Sequence, residues 1–391
     1  MVVKNKSIKM NAKERFLAAL KGQSVDRVPV SPKIWVDYSA KLLGTDIRDV
    51  LTDPLTALRV IPLAAIKLGF DSARQFPFPA KKIVEENGDI FEINDAGRRI
   101  GKIDIDGGLA THLFDSKDYK IDDPFTMAYS GNRGAPEPVV NTVQDAKRIA
   151  VPDASVFDEL GWGRRQKQVA DEFGDKIFLV GDCDAATMSF YIRFRGINEA
   201  MFDLITQPQL VHAVMEKGAQ IAIARGKYWL DHGMRVLRLN DSAGNMSLIS
   251  PTHWKEFVYP YIKAVCSELH SYSKDAIVYC HICGNVLPVI DILAQSGLDC
   301  IGPLDPLGGF TVKQAREKAG DKICLMGGVD TMLLLNGSPR QVKEKAIECI
   351  KEAGTKGGYI LSSGCAVPRG CPHENLAALV EASREMMTCR C

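Results

Sequence analysis

No run of 18 apolar residues occurs in the 391-residue chain, so no segment reads as a membrane-spanning helix. An excess of one charge is also missing: 49 Lys and Arg stand against 48 Asp and Glu, a net charge of +1. A chain this balanced offers no polyanion-binding surface, and nucleic acid is not expected as a partner. The basic start MVVKNKSIKMNAKERF lacks the apolar stretch of a secretory signal. No G-x-G-x-x-G follows a strand-like run, which weakens a dinucleotide-binding reading. No internal repeat or low-complexity tract is present.

Cysteine, by contrast, is plentiful. There are 11, an odd number, and several lie inside apolar runs rather than at paired loop positions. That usage points to a reducing compartment, the cytoplasm, with cysteines serving as small core residues or metal ligands. Cys266, Cys300, Cys324 and Cys349 read as packing residues, and Cys389 and Cys391 fall on the C-terminal tail.

From about residue 175 short β-branched runs alternate with longer helical patterns. The expected strands are 176–182, 234–241, 276–284, 298–305, 322–328 and 358–364, with amphipathic stretches such as 208–233 and 338–354 between them. Nearly unbroken apolar strands separated by helices imply a parallel sheet covered on both faces. RVPVSPKIW (27–35) and FDSARQF (70–76) supply two further strands, and eight strands close a (β/α)₈ barrel. The fold expected is therefore an α/β TIM barrel, one domain over 1–391, with an N-terminal helical and β-hairpin insertion. The first helix, 11–22, has Asn11 as its N-cap and a glycine stop. Residues 80–135 break the rhythm with Asn-Gly and Asp-Gly turn signals and read as β-hairpins forming an insertion or lid.

Function in such a barrel gathers at the C-terminal ends of the strands. Those ends carry Asp182, then Asn240 and Asp241, then His281 and Cys283, then Asp305, and finally Cys365 in SSGCAVP. In IVYCHICGNV (277–286), His281 and Cys283 are two apart and share one face of a strand, whereas Cys280 and Ile282 face packing. Cys365, flanked by Gly364 and a turn, can approach across the barrel mouth. Three ligands of type His, Cys, Cys suit Zn²⁺ and leave a fourth position open. A sulfur-rich core strand is the competing reading of the same pair. Cys371, beside Pro372, is the rival ligand and reads as a bystander. Asp182 and Asp241 are candidates to orient His281, to join the metal or to bind substrate, against a helix-capping role. Asn240, Trp35, Tyr38, Phe190 and Tyr191 are further substrate-side candidates on the same rim.

The chain resembles the uroporphyrinogen decarboxylase superfamily over nearly its whole length. The resemblance is carried by NAKERFLAALKGQSVDRVPV, GINEAMFDLITQPQLVHAVME, LMGGVDTMLLLNGSPRQVKEKAIECI and YILSSGCAVPRGCPHENLAALVEASR. It implies a (β/α)₈ barrel. The decarboxylases of that superfamily carry an R-Q-A-G-R-Y segment after D-R-x-P-V. SPKIWVDYSAKLLG (31–44) stands here instead, with lysines as its only basic residues. The other branch, the zinc-dependent corrinoid methyltransferases, carries H-x-C followed about eighty residues later by a cysteine in a glycine-rich strand end. These positions map onto His281, Cys283 and Cys365.

The resemblance then implies a zinc cofactor and a methyl group moved between a small methylated substrate and the cobalt of a separate corrinoid protein. The first expectation for that substrate is a methoxy-aromatic, with zinc as Lewis acid on the ether oxygen. A methylcobamide:thiol transferase of the coenzyme M type is the alternative. A decarboxylase-like or non-catalytic barrel with a structural zinc is the alternative of another class. The oligomeric state is left open, with a homodimer admitted.

Overall fold

The computed structural model describes residues 9–353 and 357–388. Cys389, Cys391 and the first eight residues lie outside the described residues. Seven parallel strands form one curled sheet: β1 (Ser72–Gln75), β7 (Phe178–Asp182), β8 (Val236–Asn240), β9 (Ile277–His281), β10 (Cys300–Leu304), β11 (Cys324–Val329) and β12 (Tyr359–Ser363), in that spatial order. Between β1 and β7 in sequence, β2 (Ile83–Glu86), β3 (Asp89–Ile93), β4 (Arg99–Asp104), β5 (Ala110–Leu113) and β6 (Arg133–Gly134) form a second sheet of their own. The fold class is the α/β barrel expected from the alternation of strands and helices.

The eighth barrel position departs from expectation. The segment 27–35 is no regular strand. It touches β12 through an isolated bridge at Val30–Leu361 and the loop after β12 through another at Lys33–Ala366. Pro29 and Pro32 remove two N–H donors from the ladder, so a regular strand cannot form. The seam still closes. Ser31 N donates to the Leu361 carbonyl at 2.9 Å, Leu361 N to the Pro29 carbonyl at 2.9 Å, and Asp71 N to the Val30 carbonyl at 2.9 Å. The Asp71 carboxylate completes it by accepting from Val30 N at 2.7 Å, Arg15 Nη1 at 2.6 Å and Arg27 Nη1 and Nη2 at 2.9 Å each.

Two hydrophobic layers follow from strand alternation. Residues facing inward, including Phe178, Val236, Ile277, Cys300 and Cys324 at the strand starts, form an interior cluster with Phe16, Ala19 and Leu20. These three come from the helix Ala12–Leu20, which starts with an Asn11–Glu14 capping box. That helix plugs the N-terminal end of the barrel and leaves chemistry to the other end. The outward residues, Cys280 among them, pack beneath the surrounding helices, one of which, Pro339–Ala353, buries Cys349. In the second sheet Asn87 and Gly88 take positive φ between β2 and β3, the turn their sequence announces. No helix among the described residues is long and apolar enough to cross a membrane.

Replacing Asp71 with alanine leaves the Arg15 and Arg27 guanidiniums buried without their shared partner. Breaking a buried pair in this way costs about 3–5 kcal/mol. Urea unfolding is expected to show that loss, and a change below about 1 kcal/mol would mean that the seam does not depend on Asp71.

Candidate metal centre

His281 is the last residue of β9 and is buried. Cys283 follows two residues on, and Gly284 turns the chain immediately afterwards with φ +82°, a conformation open to glycine at little cost. Asp305, at the end of β10, accepts from Gly284 N at 2.9 Å and from Leu307 N at 3.1 Å. It also packs against the Cys365 loop: a Cβ on Gly364 would stand 3.0 Å from Asp305 Oδ1 and 2.8 Å from Pro306 Cδ. One buried carboxylate therefore braces both cysteine loops. The Cys365 loop is tied further by Ser363 Oγ donating to the Cys365 carbonyl at 2.7 Å and by Val367 N donating to the Lys33 carbonyl at 2.8 Å.

As a result, one imidazole nitrogen of His281 and the sulfurs of Cys283 and Cys365 lie within 4.8 Å of one another. Among the described residues this is the only cluster of three such side chains close enough to share an ion. The Cys283 thiol hydrogen-bonds to Cys365. That bond, with Lys33 nearby, holds Cys365 below the ordinary thiol range, whereas the same bond and burial push Cys283 up. Burial, then Lys33, Arg238 and Arg74, holds His281 well below its usual value, so the imidazole is neutral and keeps a lone pair. A neutral imidazole beside one thiolate-prone sulfur and a second thiol is a donor set that fits Zn²⁺.

The surroundings are cationic. Lys33 Nζ lies 3.0 Å from His281 Nε2, and burial with the neighbouring Arg238 and Arg74 lowers it to about 7. Arg238 pairs with Asp182 at 2.5 Å and reaches Asn240 Oδ1 at 2.7 Å. Asn240 stands in register with His281 on the adjacent strand, which brings it to the site. Ser242 hydrogen-bonds toward Cys283 and helps keep that thiol from rising further.

The other sequence candidates fall elsewhere. Asp182 is fully buried and engaged by Arg238 and by Asp184 N at 2.8 Å. Asp241 accepts from Ser189 N at 2.7 Å, where the helix Met188–Arg195 begins, and burial raises it to about 6. Asp182 is thus spent on its neighbours, whereas Asp241 keeps Oδ2 buried without a hydrogen-bond partner. Phe190 and Tyr191 sit in the core: Phe190 packs on Phe194 at 4.7 Å and the Tyr191 hydroxyl donates to Asp203. Tyr38 lies buried near Cys371 on the far side of its helix. Trp35 alone of the four aromatics comes near, with Arg74 at 5.1 Å and Lys33 at 5.8 Å from its ring centroid. Cys371 donates to the Leu334 carbonyl at 3.1 Å and takes no part.

Sequence reading placed Asp305 at a strand end without a role, and it missed Lys33 and Arg74. Lys33 had a signal, as the lysine in the segment where the decarboxylases carry arginine.

Comparison with known proteins follows from this geometry. The model of the family "Uroporphyrinogen decarboxylase (URO-D)" matches residues 126–386. A methylated-thiol–coenzyme M methyltransferase of Methanosarcina mazei is 32% identical over 181 residues, 46% of this chain and 46% of that protein. The chain thus spans about half the length of that relative. A uroporphyrinogen decarboxylase of Chlorobium luteolum is 25% identical over 394 aligned positions, 95% of this chain and 97% of that one. Among solved structures, a methyltransferase from Methanosarcina mazei superposes with a TM-score of 0.71 at 21% identity, covering 96% and 99% of the two chains. That likeness establishes the shared fold.

In metal-stripped protein, alkylation of Cys365 is expected to follow a midpoint below the ordinary thiol value of about 8.5. A lowered value means thiolate is present, and the rate saturates, at a pH where a free cysteine is still mostly protonated. Cys283→Ala removes the donor and shifts the midpoint upward. Peptide-resolved alkylation across pH checks this, and an unshifted profile in the variant would rule out the thiol–thiol contact as the cause.

Proposed function

This chain belongs to the uroporphyrinogen decarboxylase family, and from that premise we propose that it is a zinc-dependent methyltransferase. In this reading it exchanges a methyl group between a small methylated substrate and the cobalt of a separate corrinoid protein. The observation that supports it is the convergence of His281, Cys283 and Cys365 at the open end of the barrel. Three ligands with no fourth among the described residues leave room for a substrate atom, as in catalytic rather than structural zinc sites. Cys183, buried and outside the cluster, and Cys371, bonded to a carbonyl, do not close the site.

Zinc, when bound there, supplies Lewis acidity toward a leaving ether oxygen or lowers the pKa of a thiol. The chain's own residues do the rest. Burial keeps His281 neutral, so it needs no proton loss to act as a ligand. The Cys283–Cys365 hydrogen bond prepares one sulfur as a thiolate. Asp305 and Ser363 fix the two loops, so neither cysteine must be ordered on binding. Ile34, Pro303 and Met326 give the adjoining cavity apolar walls, which limit water beside the reacting atoms. All the described cysteines are free, in keeping with a reducing cytoplasmic setting.

A methoxy-aromatic substrate was the first expectation, because the rim offered aromatics and carboxylates rather than a cluster of arginines for a sulfonate. With only Trp35 of the four aromatics near the site, a second reading gains: the methyl group passes to or from a small thiol. The Methanosarcina mazei relative named for a methylated thiol agrees with it.

Cys365→Ala is expected to lose zinc in metal analysis, and with it methyl transfer to Co(I) corrinoid protein, by at least about tenfold. Unchanged zinc stoichiometry in that variant would remove the triad from the proposal. An assay with aryl methyl ethers beside methyl thioethers decides between the two substrate readings.

A further inference from the structure

Three helix ends meet at one cleft beside the loop that follows β12. Lys41 stands in the last turn of the helix Val36–Leu43, and Lys67 in the last turn of the helix Pro54–Leu68. The 16-residue helix His373–Thr388 begins at the same place. Tyr38, Lys41, Lys67, Arg369, Cys371 and His373 enclose about 380 Å³ there. None of them lines the cavity beside the metal triad, so the cleft is a separate feature of the surface.

Its polar groups are donors that the chain leaves largely unused. Lys41 Nζ meets only the Arg369 carbonyl at 3.5 Å, and Lys67 Nζ only the Leu42 carbonyl at 3.3 Å. Neither lysine pairs with a carboxylate among the described residues. Of the nearby carboxylates, Asp37 and Asp106 face Arg369, and Glu374 faces His373. Tyr38 is 2% exposed, and its hydroxyl has no hydrogen-bond partner. Burial pushes that hydroxyl up, with Cys371 and Glu374 adding to the effect, so it stays a donor beside the start of the last helix. A buried hydroxyl without a partner is a cost that an incoming oxygen removes. The N–H groups of His373 and Glu374 have no acceptor among the described residues, as expected in the open first turn of a helix.

We propose that this cleft binds a phosphoryl group, as free phosphate or as a phosphate monoester, between Lys41, Lys67, the Tyr38 hydroxyl and the first N–H groups of the helix His373–Thr388. Helix N-termini favour anions because the free N–H groups and the helix dipole face them together. Lysines add charge without a fixed direction, and charge-assisted bonds arriving from several sides suit a group with more than two oxygens. A carboxylate, with two oxygens in one plane, meets fewer of these donors. The site stands apart from the metal centre and from the reaction proposed there. Its occupant touches the segment 369–373, which continues the loop that carries Cys365.

The test is calorimetric titration of the full zinc-loaded chain with inorganic phosphate, glycerol 3-phosphate, acetate and glycerol. At least one of the two phosphate compounds is expected to bind with a Kd of about 1 mM or tighter, about tenfold or more below that of acetate, with glycerol giving no heat of binding. Higher affinity for glycerol 3-phosphate identifies a monoester as the ligand, and equal or higher affinity for inorganic phosphate identifies free phosphate. Lys67→Gln and Tyr38→Phe are each expected to weaken binding by about fivefold or more. Neither residue lines the cavity beside the metal triad, so that loss separates this cleft from phosphate held at the metal. Should a variant fail to fold, hydrogen exchange of the wild type decides: phosphate slows exchange in the peptide 371–377 and leaves that of 277–286 unchanged. No binding of either phosphate compound, acetate binding as tightly, undiminished binding in either variant, or protection only at 277–286 overturns the site.

Discussion

The Asp71 carboxylate is the constraint on which the rest of the barrel depends. A sheet of seven strands has two edges, and here the gap is bridged by a segment whose prolines forbid a regular ladder. Asp71 replaces what the ladder lacks: it binds Val30 N directly and anchors Arg15 and Arg27 around it. The Asp-Arg-x-Pro-Val stretch thereby acquires a physical meaning. Asp26 holds Arg15, Arg27 holds Asp71, and Pro29 with Ser31 trades main-chain bonds with β12. Three residues beyond this seam stands Lys33, and the same segment accepts from Val367 N in the loop that carries Cys365. Closure of the fold and placement of the metal centre are thus one event.

Charge sets the second level of organisation. The interior beyond Val180 and Val236 is polar, and burying ions there is costly unless they are matched. The chain sorts them. Asp182 takes Arg238, while Asp184, at φ +68°, takes Arg193 and Arg225. These pairs hold the loop after β7 and the floor of the site without facing a ligand. What remains unmatched, Lys33 and Arg74, lies beside the soft donors, so the site combines a metal-binding set with a positive field. Burial, aided by that field, keeps His281 neutral, and the Cys283 hydrogen bond, aided by Lys33, favours thiolate at Cys365, the protonation states that metal ligation requires.

Much of this was legible beforehand, for specific reasons. Strand positions showed because buried parallel strands read as apolar runs, and the six runs after residue 175 land within two residues of β7 to β12, except at the C-terminal end of β9. His281 and Cys283 were legible as a same-face pair, and Cys365 by its glycine-flanked turn and by resemblance. Asp182 looked like a site residue because it ends a strand, but its role was decided by Arg238, more than fifty residues away. Phe190 and Tyr191 followed a strand end and seemed to belong to the rim, yet helical periodicity turned them inward onto Phe194 and Asp203. Lys33 showed only through its place in the segment where the decarboxylases carry arginine, and Arg74 could not be singled out, because an unpaired cation is defined by partners that fail to arrive, which no local pattern records.

The second sheet bears on the site through the turn after β4. The turn after β4 brings Gly108, at φ +82°, against Trp35, and a Cβ there would lie 1.9 Å from Trp35 Nε1. Only glycine fits, so the turn must sit directly on the indole. Asp106 in the same turn pairs with Arg369 at 2.7 Å, and Arg369 follows Cys365 in the loop after β12. That pair is largely solvent-exposed, and such pairs contribute little to stability, so the turn's position depends mainly on packing against Trp35. Since Trp35 also lies against Lys33 and Arg74, a ligand that draws either cation away alters the surface on which the turn rests. The sheet at 83–134 therefore reaches the cavity at one remove, through an indole that lies against two of its lining residues.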